Sequence, residues 1–109
     1  MTAQEKYIFR LPDDIVELVR KMHPTLKANI RQALHLIGEN PYAGKLLKDE
    51  LADLRSYRVK KYRVIYRICS QDKILEIVAI GPRKRIYEET FHLISKEIAN
   101  TVTLGEESS

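Results

Sequence analysis

The sequence predicts an α+β fold: a small, mostly antiparallel β-sheet with two N-terminal helices packed on one face and a short C-terminal helix, in the order βααβββα. Two observations predict it. Apolar residues recur at helical spacing between residues 15 and 37, and the period then drops to two between residues 57 and 68. A third observation sets the scale. A chain of 109 residues that is 44% hydrophobic can bury one modest core. Residues 1–98 therefore read as a single domain and 99–109, ending in "TVTLGEESS", as a flexible tail.

Each element has its own signal. "KYIFRL" alternates enough for a short first strand, and Pro12 followed by Asp13 and Asp14 suits a helix start, with acids at the positive end of the dipole. Ile15, Leu18, Val19 and Met22 supply the stripe of that helix, which the His23–Pro24 step breaks because a residue before proline is pushed out of the helical region. Leu26, Ile30, Ala33, Leu34 and Ile37 continue at i, i+4, i+7, i+8 and i+11 as a second amphipathic helix ending near "GENP". "YAGKLLKDELADL" reads as a polar connection.

Two strands follow. Tyr57 and Val59 alternate with Arg58 and Lys60, and Val64, Tyr66 and Ile68 alternate with Arg63, Ile65 and Arg67. Tyr62 and Tyr66 share the apolar parity, so the tyrosines read as packing residues. "ILEIVAIG" is apolar almost throughout and predicts a strand with little exposed surface, entered through a turn at "SQDK". Residues 87–98 predict the last helix. Cys69 reads as a small buried hydrophobe and leaves no internal disulfide possible.

Charge is segregated along the chain. From Arg55 to Tyr87 there are ten Lys and Arg against two acids, Asp72 and Glu76, whereas the remainder holds nine against thirteen. That asymmetry is the footprint of a surface for a polyanion. With both long helices on one face, the other face of the sheet is expected to carry the cations. Arg58 and Lys60, two apart, are expected to project the same way, and a tight turn near Lys61 would bring Arg63 beside them. Like charges opposed across a sheet cost about a few tenths of a kcal/mol per pair, a cost that a bound phosphate backbone would remove.

Other chemistries are weakly supported. His23, His35 and His92 lack zinc-ligand spacing, and "GENPYAG" lacks the G-K-S/T ending of a phosphate loop. No metal and no cofactor are implied. The start, "MTAQEKYIFR", lacks the apolar stretch of a secretory signal, and no apolar run approaches bilayer length, so a cytoplasmic protein without membrane contact is the expectation.

The stretch "LRSYRVKKYRVIYRI", the apolar strand ending in "AIGPRKRIY" and the two preceding helices together resemble the RelE/ParE superfamily of toxins from type II toxin–antitoxin systems, over roughly residues 6 to 95. Matched by position to the RNA-cleaving RelE branch, the basic cluster falls on Arg58, where the family often has lysine, and on Lys60 and Arg63. The arginine after the last strand's glycine falls on Arg83, and the C-terminal tyrosine on Tyr87. The resemblance implies a metal-independent endoribonuclease acting on mRNA in the ribosome. It also implies a cognate antitoxin as partner, in a toxin–antitoxin hetero-oligomer. Catalytic roles fall to Lys60, Arg63, Arg83 and Tyr87, and RNA contacts to Arg58, Lys60, Lys61, Arg63, Lys84 and Arg85.

The chemistry fits those residue types. Attack by a 2′-hydroxyl needs a base, stabilisation of the charge that builds on the phosphorane, and a proton for the departing 5′-oxygen. Lys60, flanked in the sequence by Arg58, Lys61 and Arg63, is the candidate base. Arg58 and Arg63 suit a planar clamp on the non-bridging oxygens, Arg83 suits electrostatic stabilisation of the leaving oxygen, and Tyr87 suits stacking on a base or orienting the reacting groups. The same resemblance leaves two non-enzymatic readings: a ParE-like inhibitor of DNA gyrase, and a degenerate member that only binds antitoxin.

Overall fold

In the computed structural model, which describes residues 7–83 and 85–95, a five-stranded sheet runs in the order β1-β5-β4-β3-β2. The chain enters through β1 (Ile8–Arg10), then forms α1 (Asp13–Arg20) and α2 (Pro24–Glu39). The remaining strands are β2 (Lys45–Leu46), β3 (Arg55–Val59), β4 (Tyr62–Cys69) and β5 (Ile74–Pro82), and residues 86–95 are helical, here α3. β1 pairs with β5 in parallel; every other pairing is antiparallel. The two helices carry the chain from β1 to β2 at the far edge of the sheet, and three successive antiparallel reversals, β2 to β5, bring β5 back beside β1 in the same direction. Residues 96–98, expected in the last helix, and the C-terminal tail lie outside the described residues.

The helix boundaries follow the sequence signals. α1 opens at Pro12 with Asp13 and Asp14 in its first turn. α2 opens with Pro24 at its first position, and His23 Nδ1 accepts a 3.3 Å bond from the Thr25 amide. Ile15, Ile30, Ala33 and Ile37 bury their side chains against Val59, Val64, Tyr66, Leu75, Ile77 and Ile80 of the sheet.

The sequence left the opposite face to the cations, but the structure covers part of it with apolar residues. α3 crosses it and closes a second, smaller cluster of Leu54, Ile65, Ala79 and Ile86. The reason is compositional: Ile65 and Ala79 interrupt the charged rows and need cover. Cys69 is half-buried at the end of β4. Among the described residues no helix is long and apolar enough to cross a membrane.

A β-bulge switches the parity of β5. Ile65 pairs with Ala79 but Tyr66 with Ile77, so Val78 is an extra residue on the β5 side. Before the bulge, Leu75 and Ile77 face α1 and α2; after it, Ile80 does, while Ala79 turns to α3. Without the extra residue, positions 79, 81 and 83 would continue on the α1/α2 face. With it, they fall on the face of Arg63 and Ile65.

The connection after α2 was read as polar and irregular; it contains β2 and two short 3-10 turns, Pro41–Ala43 and Asp49–Leu51. Tyr66 holds the first of them. Its hydroxyl is buried in the sheet, donates to the Pro41 carbonyl at 2.6 Å and accepts the Gly44 amide at 2.9 Å. A Cβ on Gly44 would lie 2.5 Å from that hydroxyl, so the position needs glycine for close approach. Arg55 Nη1 adds a 2.8 Å bond to the Gly44 carbonyl, and its guanidinium sits 5.1 Å from the Tyr42 ring centre. Burial pushes the Tyr66 phenol above its ordinary 10.0, against the opposing pull of the Gly44 amide and the Arg55 charge.

β3 and β4 are joined by a two-residue turn, Lys60–Lys61, with Val59 opposite Tyr62. Lys60 has φ of 58°, the left-handed region that favours glycine. Lys60 therefore does not continue the alternation of β3 as the sequence suggested. A turn tight enough to reverse the chain in two residues forces its first residue out of the extended region.

Two stability measurements follow. Tyr66→Phe strands the Pro41 carbonyl and the Gly44 amide in the interior and should cost about 1–3 kcal/mol in urea unfolding. Because the folded phenol titrates above its unfolded value, its stabilising contribution should be complete below about pH 10 and fade as pH rises through the folded value, a fade absent in Tyr66→Phe. Lys60→Gly should be more stable than Lys60→Ala by about 0.5–1 kcal/mol, since only glycine relieves the left-handed backbone; equal midpoints would mean the turn is unstrained.

Candidate functional site

The β3–β4 hairpin and the exit of β5 bring the basic residues together. Arg58 and Arg63 are direct cross-strand partners, and Arg63 also pairs with Gly81 of β5. Arg83 is tied to the hairpin turn by its amide, which donates to the Lys61 carbonyl at 2.8 Å. That bond places the first residue after β5 beside the turn. The parity switch at Val78 puts Arg83 on the side of the sheet that Arg63 occupies.

Two clefts meet at Arg83. The first, about 570 Å³, is bounded by Arg58, Lys60, Lys61, Arg83 and Arg85, with Pro82 as its apolar contribution. The second, about 460 Å³, has Arg63, Arg83 and Tyr87 on one side and Lys45 and Lys48 on the other, closed by leucines of the 46–51 segment. Among the described residues no acid lines either cleft. Such a surface attracts an extended polyanion, and the leucines and Pro82 offer apolar area for bases.

The side chains are differently restrained. Arg58 is exposed, and its Nε donates to the Lys60 carbonyl at 3.3 Å, which turns the guanidinium toward the turn. Arg63 is half-buried, and its Nε, like that of Arg67, has no hydrogen-bond partner among the described residues. A buried guanidinium donor left open costs free energy unless an acceptor reaches it. Tyr87 is half-buried at the start of α3, packed on the second cluster, with its hydroxyl 3.1 Å from Ser56 Oγ. Arg67, the next basic residue on this face, is committed elsewhere: its Nη1 donates to Glu76 at 3.0 Å.

The residues expected from the sequence therefore divide. Arg58, Lys60, Lys61, Arg63, Arg83, Arg85 and Tyr87 all border the paired clefts, whereas Lys84 lies outside the described residues. Lys60 reaches the cleft from the hairpin tip rather than from the strand row of Arg58. Lys45, Lys48 and Ser56 were not singled out by the sequence. Lys45 and Lys48 sat in a segment read as a connection, and Ser56 carried one usable signal, its shared parity with Arg58.

Comparison with known proteins bears on the fold and the family. A family model described as the ParE toxin of the parDE type II toxin–antitoxin system matches residues 5–87. The toxin–antitoxin complex RelBE2 from Mycobacterium tuberculosis contains a chain similar at 27% identity and a TM-score of 0.65, covering 72% of this chain and 100% of that one. An arginine double mutant of Escherichia coli RelE in the free state aligns at 16% identity and a TM-score of 0.68, over 86% of this chain and 99% of that one. RelE from the Pyrococcus horikoshii RelE–RelB complex aligns at 21% identity and 0.58, over 74% and 99%. No curated protein sequence matches the chain significantly. With the fold, the hairpin and the family match in agreement, the chain belongs to the ParE toxin family of type II toxin–antitoxin systems, within the RelE/ParE superfamily.

Proposed function

We propose that this toxin is a metal-independent endoribonuclease that cuts mRNA on the cytoplasmic ribosome and so arrests translation. One observation carries the reading: Arg58, Arg63, Arg83 and Tyr87 border two clefts that share Arg83, and no acid among the described residues lines either. Phosphate-ester cleavage through a neighbouring 2′-hydroxyl asks for that combination, because most of the catalysis is stabilisation of charge growing on phosphate oxygens.

In this mechanism the scissile phosphate lies at Arg83, between the clefts. Lys60 accepts the proton of the 2′-hydroxyl. Its oxygen attacks the adjacent phosphorus, the bond to the 5′-oxygen breaks, and a 2′,3′-cyclic phosphate remains on the upstream fragment. Arg58 and Arg63 hold the non-bridging oxygens through charge-assisted bonds, the open Nε of Arg63 being a ready donor. Arg83 stabilises the departing oxygen, which takes its proton from water in the open cleft, because the guanidinium is too weak an acid to supply it. Tyr87 holds the reacting groups in line from the second cleft. Lys61, Lys84 and Arg85 bind flanking phosphates.

The solved RelE proteins from Mycobacterium tuberculosis and Pyrococcus horikoshii are in complexes with antitoxins. A cognate antitoxin is accordingly proposed as the partner of this chain, in a toxin–antitoxin hetero-oligomer. The name of the matching family favours a second reading, a gyrase inhibitor that acts by binding alone.

The two readings separate in purified translation complexes. Cleavage should persist in EDTA with ribosome integrity controlled, leave a 2′,3′-cyclic end, and vanish on mRNA carrying a 2′-deoxy sugar at the cut. Arg83→Ala should lower the rate by about 10²–10³-fold, the usual loss of one charge-stabilising donor. Undiminished cutting of the 2′-deoxy substrate would reject the mechanism. Gyrase inhibition without RNA cleavage would select the second reading.

A further inference from the structure

Ser56 stands in the middle of β3, 2% exposed, on the face that carries the clefts. A small apolar residue would suit that position in a strand better, because a buried hydroxyl gains nothing from burial unless it is hydrogen-bonded. Its one partner among the described residues is the Tyr87 hydroxyl, 3.1 Å away and 31 positions along the chain. Tyr87 is in the reverse situation. Its ring is wedged on the second cluster, and it opens on the cleft that Arg63 and Arg83 also line.

The two hydroxyls are therefore not equivalent. Either hydroxyl can donate across the 3.1 Å contact, but Ser56 is enclosed in the sheet while Tyr87 lines the cleft, so donation by Ser56 leaves the Tyr87 proton for a group in the cleft. We infer that Ser56 is a positioning residue: it donates to the Tyr87 oxygen and so leaves the Tyr87 O–H directed at a phosphate or ribose oxygen of the substrate. Ring packing alone would fix where the phenol lies but not where its proton points, since the hydroxyl rotates about its own bond. A bond from Ser56 selects one orientation before substrate arrives and also polarises the phenol toward donation. The inference rests on the ribonuclease reading, because it assigns Ser56 a part in that reaction.

The test pairs kinetics with a readout that needs no activity. On translating ribosomes, Ser56→Ala should lower kcat about tenfold at unchanged KM, the effect of losing one hydrogen bond of about 1.4 kcal/mol. Tyr87→Phe should lower kcat at least as far, and adding Ser56→Ala to it should change nothing further. In protein labelled at the tyrosine ring carbons, Ser56→Ala should shift the Tyr87 Cζ resonance and leave that of Tyr66 in place, reporting the lost bond in a folded chain. Full kcat in Ser56→Ala, a loss confined to KM, or additive losses in the double variant would overturn the inference while the ribonuclease reading stands. A wild-type chain that cuts no RNA would overturn both, even with the resonance shift intact.

Discussion

The extra residue in β5 is the constraint on which both halves of the molecule depend. A strand buried on both faces distributes its side chains by strict alternation, and β5 must bury apolar residues on both faces before it reaches Arg83. Val78 breaks the alternation beside Ile65 and Tyr66. Ile80 can then join the α1/α2 core while Ala79 and Gly81 face α3. Gly81 makes room there: a Cβ on it would lie 2.9 Å from Ile86 Cδ1, so the glycine lets the Ile86 side chain of α3 settle against the strand in its present position. The same change of parity carries Arg83 to the side of Arg63. Core packing and site assembly are thus two results of one inserted residue.

Tyr66 performs the matching task on the other flank. Its hydroxyl reaches through to the Pro41–Gly44 segment and satisfies one carbonyl and one amide there. Those groups sit where the chain leaves α2 and turns into β2, and β2 carries Lys45 to the rim of the second cleft. A buried phenol bonded at both lone pair and proton is rigid, and rigidity here is transmitted to a cationic wall. Arg55 repeats the restraint from the neighbouring strand through the Gly44 carbonyl.

Against these restraints, the hairpin stores unfavourable terms. Arg58 faces Arg63 directly, Arg63 Nε lacks an acceptor, and Lys60 occupies a backbone region suited to glycine. Each term alone is small. Together they lie in one place, next to the clefts, and a phosphate chain would relieve two of the three by supplying negative charge and acceptor oxygens. Arg67 shows the contrast on the same strand: with Glu76 opposite it, its charge is neutralised within the sheet. Both arginines leave Nε without a partner among the described residues, so the difference between them is the cross-strand carboxylate that Arg67 has and Arg63 lacks.

The sequence by itself determined the element order, the two helix faces, the hairpin and the identity of the basic cluster. These depend on short-range periodicity and on residue types that act within a few positions, such as Pro24 after His23, or the alternation of Val64, Tyr66 and Ile68 with Arg63 and Arg67. Tertiary structure alone decided the rest. The bulge was hidden because "ILEIVAIG" is apolar on both parities, so an added residue leaves no mark in its pattern. β2 was hidden because two residues are too few to show a period. The cover of α3 over the cationic face, and with it the Ser56–Tyr87 contact, joins residues 31 apart and depends on how a helix packs over a glycine. Lys60 changed place for a related reason: alternation extrapolates a strand, but closing the chain in two residues costs one of them its extended backbone, and only the register between Val59 and Tyr62 says which.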